Sequence, residues 1–287
     1  MTENLLDLVG YHEKWHAQVQ AHRHPCTHSI NDLIIEEIFQ RLEITCGTFV
    51  EFGAWDGLVL SNTRKLFEEG WGGLLIEADP KKYEELKTNY ENHDRVTAIN
   101  CFVDTDENLI DKVLVEHLEE NIDFCSIDID GLDLDIFETF EANLPKVVCI
   151  EGGQALHPLR SRIPSHISAH NIQQSLSVIN EVFEEKGYKL LCTYQDCFFI
   201  KQEYYHLFNV DTDLTNQYID GLMALPRIPY LKNILDSHGF RNEIIDQAIE
   251  NIPLPHHAAS KAQKMAWVDA HYLSIRDRLE FYKGEKT

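Results

Sequence analysis

The side chains whose type and spacing best suit chemistry are carboxylates that close short apolar runs. Asp128-Ile129-Asp130-Gly131 ends one such run, and Glu151-Gly152-Gly153 ends the next. Both ends are expected at the carboxyl edge of a parallel sheet, where open α/β folds bind ligands. Asp128, Asp130 and Glu151 converging there would repel one another unless a proton or a cation intervenes. Oxygen ligands of this kind suit Mg²⁺, Ca²⁺ or Mn²⁺, which makes these three the candidate metal set. The alternative is that Asp130 caps the following helix and Glu151 meets a substrate or cofactor directly.

A second group lies upstream. The first apolar run leads into Glu51-Phe52-Gly53-Ala54-Trp55-Asp56-Gly57. Glycines at a strand-to-helix turn let the backbone approach a ligand closely, and the helix start beyond offers free N–H groups. The second run ends in Glu77, 20 residues after Gly57. An acid at that place can accept hydrogen bonds from both hydroxyls of a ribose, the logic of nucleoside cofactor sites.

A hydroxyl acceptor would also need a base. His157, six residues past Glu151 and just before Pro158, is the candidate, and His166 and His170 compete for the role. His12 and His16 stand one helical turn apart and could share a metal, but no HExxH order accompanies them. The acidic run from Asp104 to Glu141 reads as solvated helix faces. Only Asp104, Asp128 and Asp130 are set apart in it, by their places at strand ends.

Short β-branched runs at 48–54, 73–79, 96–103, 123–130 and 146–152 must position these groups, with two more at 188–194 and 197–202. Segments of helical spacing separate the first five: SNTRKLFEEG, DPKKYEELKTNYENH, TDENLIDKVLVEHLEEN and DLDIFETFEANLP. Strands buried on both faces with helices between them imply a parallel α/β sheet. A long helix is expected over 172–187. Only Gln195 and Asp196 then join the last two runs, and so short a link permits an antiparallel hairpin and forbids a parallel crossover. Residues 1–47 and 203–287 read as helical extensions flanking a domain over 48–202, packed on it as a cap or as the contact of a homodimer.

The formal charge is −23 over 287 residues, from 25 Lys and Arg against 48 Asp and Glu. Nucleic acid and anionic membranes both require a basic footprint. No Lys/Arg cluster supplies one, so neither is expected as a partner and a small-molecule substrate is. No apolar run approaches the roughly 20 residues of a membrane-spanning helix, and the acidic N-terminus lacks the features of a leader. The seven cysteines form no CxxC pair, and Cys101, Cys125, Cys149 and Cys192 fall in apolar runs as small hydrophobes. A reducing cytoplasm is the expected compartment.

Over 48–202 the sequence resembles the class I S-adenosylmethionine-dependent methyltransferases, and within them the FkbM-type group, through VEFGAWDG, the following SNT, GWGGLLIEADP and SIDIDG. The resemblance implies a Rossmann-like α/β sheet of seven strands with the last antiparallel. It implies that Glu51, Gly53, Ala54, Asp56 and Gly57 wrap the methionine part of the cofactor and that Glu77 holds the ribose. Ser61, Asn62 and Ala78 join the cofactor contacts, Asp104 lies near the adenine, and Asp128 faces the sulfonium end. The spacing DFCSID is also similar to the fourth strand of metal-dependent O-methyltransferases of the catechol and macrolide-sugar kinds, in which an acid at the position of Glu151 completes a metal site. Two departures stand out: Trp55 replaces a frequent middle glycine, and Gly152 replaces a further Asp or Asn. The expected activity is methyl transfer to a hydroxyl of a sugar or secondary metabolite, with Asp128 and His157 as the catalytic pair and Mg²⁺ or another divalent cation assisting. Direct displacement leaves most of the acceleration to positioning. The alternatives are a nucleotide-sugar glycosyltransferase using Asp128 and Asp130 as a DxD motif, a nicotinamide oxidoreductase, which the terminal hairpin disfavours, and a cofactor-binding or interaction module without turnover.

Overall fold

The computed structural model describes residues 24–27, 30–105, 109–118, 121–153, 158–159, 161–165, 173–194 and 196–224, with 260, 262, 263 and 266. Seven strands form one sheet: β1 (Thr48–Phe52), β2 (Gly72–Glu77), β3 (Val96–Asn100), β4 (Phe124–Ile127), β5 (Val147–Glu151), β6 (Tyr188–Cys192) and β7 (Asp196–Lys201). Their order is β3-β2-β1-β4-β5-β7-β6. β1 to β5 pair in parallel, whereas β7 enters between β5 and β6 and runs antiparallel to both. This is the methyltransferase sheet that the resemblance implied. The hairpin carries a register shift between Leu190 and Cys192, an irregularity that the apolar pattern of the run does not announce.

Successive side chains on a strand point to opposite faces, and both faces here are apolar. On one face Val50, Phe52, Leu74, Ile76, Val148 and Ile150 join the helices α4 (Leu109–His117), α5 (Asp133–Glu138) and α6 (Leu176–Glu185). The centre of that layer is an aromatic stack in which Phe183 lies 3.8 Å from both Phe137 and Phe199. On the other face Phe49, Leu75, Phe124 and Val147 meet α1 (Asn31–Arg41), α2 (Arg64–Glu68) and α3 (Pro80–Tyr90). The described part of the N-terminal extension is therefore sheet packing, with Ile34, Ile35, Ile38 and Phe39 of α1 all buried.

Several helices and strands stop earlier than their sequence pattern suggests. β3 ends at Asn100; the Cys101 N–H donates once more to Glu77 O, then Phe102 is left 72% exposed and Val103 turns inward. α5 ends at Glu138, well before Pro145, where the Thr139 hydroxyl takes the Ile136 carbonyl and Asp111 accepts from the N–H groups of Glu141 and Ala142. α3 opens as expected, with Asp79 capping the N–H groups of Lys81 and Lys82 and Pro80 at its first position. After β7 a 3₁₀ turn (Gln202–Leu207) leads to α7 (Leu214–Ala224), whose Tyr218 is fully buried beside α6. The two flanks meet: the Arg41 guanidinium donates to Leu207 O and lies 5.1 Å over the Phe208 ring. Among the described residues no helix is long and apolar enough to cross a membrane.

Candidate functional site

The turn after β1 peels away while staying tied to β2, with the N–H groups of Gly53 and Ala54 both donating to Ile76 O. Gly53 and Gly57 lie at φ 74, left-handed values that glycine takes freely. The chain itself is the close neighbour they admit. A Cβ on Gly53 would stand 1.8 Å from Asp128 O, and one on Gly57 would stand 2.5 Å from the Tyr90 ring. Gly53 lets the turn touch the end of β4, and Gly57 seats the turn on α3. The Tyr90 hydroxyl completes the seat by donating to Gly57 O at 3.0 Å. Asp56 accepts from the N–H groups of Leu58 and Val59, closing the turn on itself. The first helix beyond begins only at Arg64, so free N–H groups of a helix start do not directly follow the turn.

Glu51, Ser61 and Asn62 stand apart from the rest of the predicted cofactor set. All three are buried and bonded to one another. Glu51 accepts from the Ser61 hydroxyl at 2.9 Å, the Thr63 hydroxyl at 2.6 Å and the Asn62 N–H at 2.7 Å. Burial pushes its carboxyl above the usual range, and those three donors pull it back. Asn62 donates to the Ser126 hydroxyl of β4 and accepts from the Asn31 amide of α1. These side chains brace the turn from beneath.

Glu77 closes β2. One carboxylate oxygen accepts from the Trp55 N–H and the other from the Asp79 N–H, each at 2.7 Å. Each oxygen keeps a further lone-pair direction for a ligand hydroxyl. Ala78 is exposed beside it, and its carbonyl, like that of Glu77, accepts from the Asn100 amide. Asp104 is exposed beyond the end of β3 and accepts from the Thr105 N–H.

The ends of β4 and β5 bring Asp128, Asp130 and Glu151 together, with one ligand atom from each within 4.8 Å of the others. The chain reverses tightly at Asp130 (φ 61) and Gly131 (φ 145). The side chain that caps this reversal is that of Asp133, which accepts from the N–H groups of Ile129 and Gly131. Asp130 is thus spared the capping role considered for it. Burial raises the Asp133 carboxyl to about 6. Burial, and then the charges of Asp128, Asp133, Asp196 and Asp130, push Glu151 far above the ordinary carboxylate range. Gln173 donates to Glu151, and Asp196 faces it across the β5–β7 ladder. Gly152, which replaces an expected Asp or Asn, lies at φ 132, and a Cβ there would meet the Ile179 side chain at 2.9 Å.

His157, His166 and His170, like His12 and His16, lie outside the described residues. The segment that carries the first three is anchored at its described part: Arg162 donates to Glu138 and Asp135, and Ile163 exchanges two hydrogen bonds with the Gln174 side chain. Asn31, Asp133, Gln173 and Asp196 were missed by the sequence reading. Asp133 had a legible signal as the last acid of an Asp-Gly-x-Asp reversal. Asn31 had none, since its amide reaches Asp196 at 2.5 Å across 165 positions.

No family model matches the chain, and no curated protein matches it by sequence. Solved methyltransferase structures are similar to it in fold. A candidate caffeoyl-CoA O-methyltransferase from Staphylococcus aureus has 15% identity and a TM-score of 0.43, over 67% of this chain and 92% of its own. A Podospora anserina methyltransferase solved with S-adenosylhomocysteine has 15% identity and a TM-score of 0.41, over 66% and 86%. A SAM-dependent methyltransferase from Aquifex aeolicus has 12% identity and a TM-score of 0.38, over 64% and 95%.

Proposed function

We propose that this chain is an S-adenosylmethionine-dependent methyltransferase whose acceptor is a hydroxyl of a small molecule, in the manner of the FkbM-type group. The observation that carries the reading is Glu77, a carboxylate at the carboxyl edge of the sheet whose two oxygens are fixed by main-chain N–H groups from the turn and from the start of α3. An acid so oriented suits the two hydroxyls of a ribose. The Gly53–Gly57 turn would take the methionine part, with Asp128 at the end of the neighbouring strand on the reacting side. When bound, the cofactor supplies a methyl group on a sulfonium, already a good leaving group. The protein's share is to align the acceptor oxygen and to receive its proton, and His157 or Asp128 is suited to that task.

Asp128, Asp130 and Glu151 fit a divalent cation, because three converging carboxylates are oxygen ligands whose mutual repulsion a cation relieves. When bound, such an ion lowers the pKa of an acceptor hydroxyl. The net charge of −23 supports a small-molecule acceptor over nucleic acid. The seven free cysteines support a reducing compartment.

Calorimetric titration of S-adenosylhomocysteine into the protein, with Mg²⁺ and again with chelator, tests the reading. Micromolar binding is expected in both runs, and a difference between them supports the cation. Absence of binding in both runs overturns the cofactor assignment.

A further inference from the structure

Two features set Trp55 apart from its neighbours in the turn. Its backbone lies at φ 50, a left-handed value disfavoured for every residue with a Cβ. The residue is 47% exposed, so about half of a large apolar side chain is left facing outward. What the turn needs from this position comes from the main chain, through the N–H donated to Glu77, and glycine would supply it without strain. A residue that accepts a strained backbone and still leaves half of a large ring exposed has the properties of one kept for a ligand.

The ring's position says which part of the ligand. Lys82, in the first turn of α3, holds its ammonium 4.6 Å from the indole centroid. That helix opens at Asp79, whose N–H fixes the second oxygen of Glu77. The indole therefore leans toward the β2–α3 side of the turn, next to the carboxylate assigned to the ribose. We propose that Trp55 walls the nucleoside half of the cofactor pocket, its ring packing on the bound ligand and losing its exposure there. This rests on the cofactor reading given above.

The test uses the full chain and its W55F, W55A and W55G variants, each titrated with S-adenosylhomocysteine by calorimetry and melted without ligand. W55F keeps an aromatic ring and is expected to bind within about threefold of the parent. W55A and W55G are expected to bind weaker on the order of tenfold, the scale of one aromatic stacking contact. W55G should melt close to the parent, since relief of the left-handed backbone offsets the ring contacts given up. Affinity and stability then move apart, which a purely structural role would not produce. Unchanged affinity in W55A and W55G overturns the inference, as does weaker binding that tracks a lowered melting temperature in W55G. If the parent protein binds no S-adenosylhomocysteine, the cofactor reading fails and this inference with it. A failure in the variants alone leaves the cofactor reading standing.

Discussion

The two halves of the sheet's carboxyl edge handle their carboxylates in opposite ways. Over β1 and β2, Glu51 and Glu77 are held by donors from the turn and its neighbours, so each is oriented before any ligand arrives. Over β4 and β5, Asp128, Asp130 and Glu151 gather within 4.8 Å of one another, with Asp133 and Asp196 adding to the negative field. The first arrangement is preorganised and holds its shape alone. The second holds a charge excess that a cation or a proton would relieve. The contrast shows why a carboxylate's identity and burial do not reveal its task, whereas its donors do.

The largest break in that contrast comes from removing the brace. Glu51→Ala strands the Ser61 and Thr63 hydroxyls and the Asn62 N–H in the interior, and it is expected to cost about 3 kcal/mol in chemical denaturation with loss of S-adenosylhomocysteine binding. Next in size is the bond that joins the two halves, from Asn31 to Asp196. Asn31→Asp sets two buried carboxylates against each other and should cost about 2 kcal/mol. The exchange of the pair, N31D with D196N, restores one donor and one acceptor and should recover most of the loss in a double-mutant cycle. Equal stability of the single and the exchanged variants would show that the contact is not coupled.

The smallest effect carries the opposite sign. The folded-state pKa of Glu151 is raised, so its contribution is fully present below the ordinary carboxylate range and is lost as pH rises toward the raised value. Without divalent cation, Glu151→Gln is therefore expected to stabilise the protein by about 1 kcal/mol at pH 8 and by nothing at pH 4. Mg²⁺ should stabilise the parent and not the variant. Melting curves across pH, with chelator and with Mg²⁺, measure both. A destabilised variant at pH 8 would place Glu151 with the satisfied carboxylates of the other half.

Local chemistry made much of this legible. The β-branched runs gave five parallel strands, and the short link gave the reversed β7, although Asp196 proved to open β7 and the link to be residues 193–195; Glu77, Asp128, Asp130 and Glu151 stood out as acids ending strands. What stayed hidden depends on residues distant in sequence. Gly53 is glycine because of a carbonyl at Asp128, and Asn31 matters because of Asp196. No spacing rule connects such positions, because only the closed sheet brings them together. Trp55 was visible as a departure from pattern, but its left-handed backbone and exposed ring belong to the folded turn alone.

The meeting of Arg41 with Leu207 and Phe208 bears on how the protein is cut for experiment. A fragment trimmed to the strands, 48–202, would lose Ile34, Ile35, Ile38 and Phe39 from one side of the sheet and Tyr218 from the other. The bare aliphatic and aromatic surface left behind is of the kind that drives self-association. Among the described residues, a piece from Ile30 to Ala224 keeps the helices that cover both faces. Tags and fusion partners belong outside those limits, where they leave α1 and α7 in place.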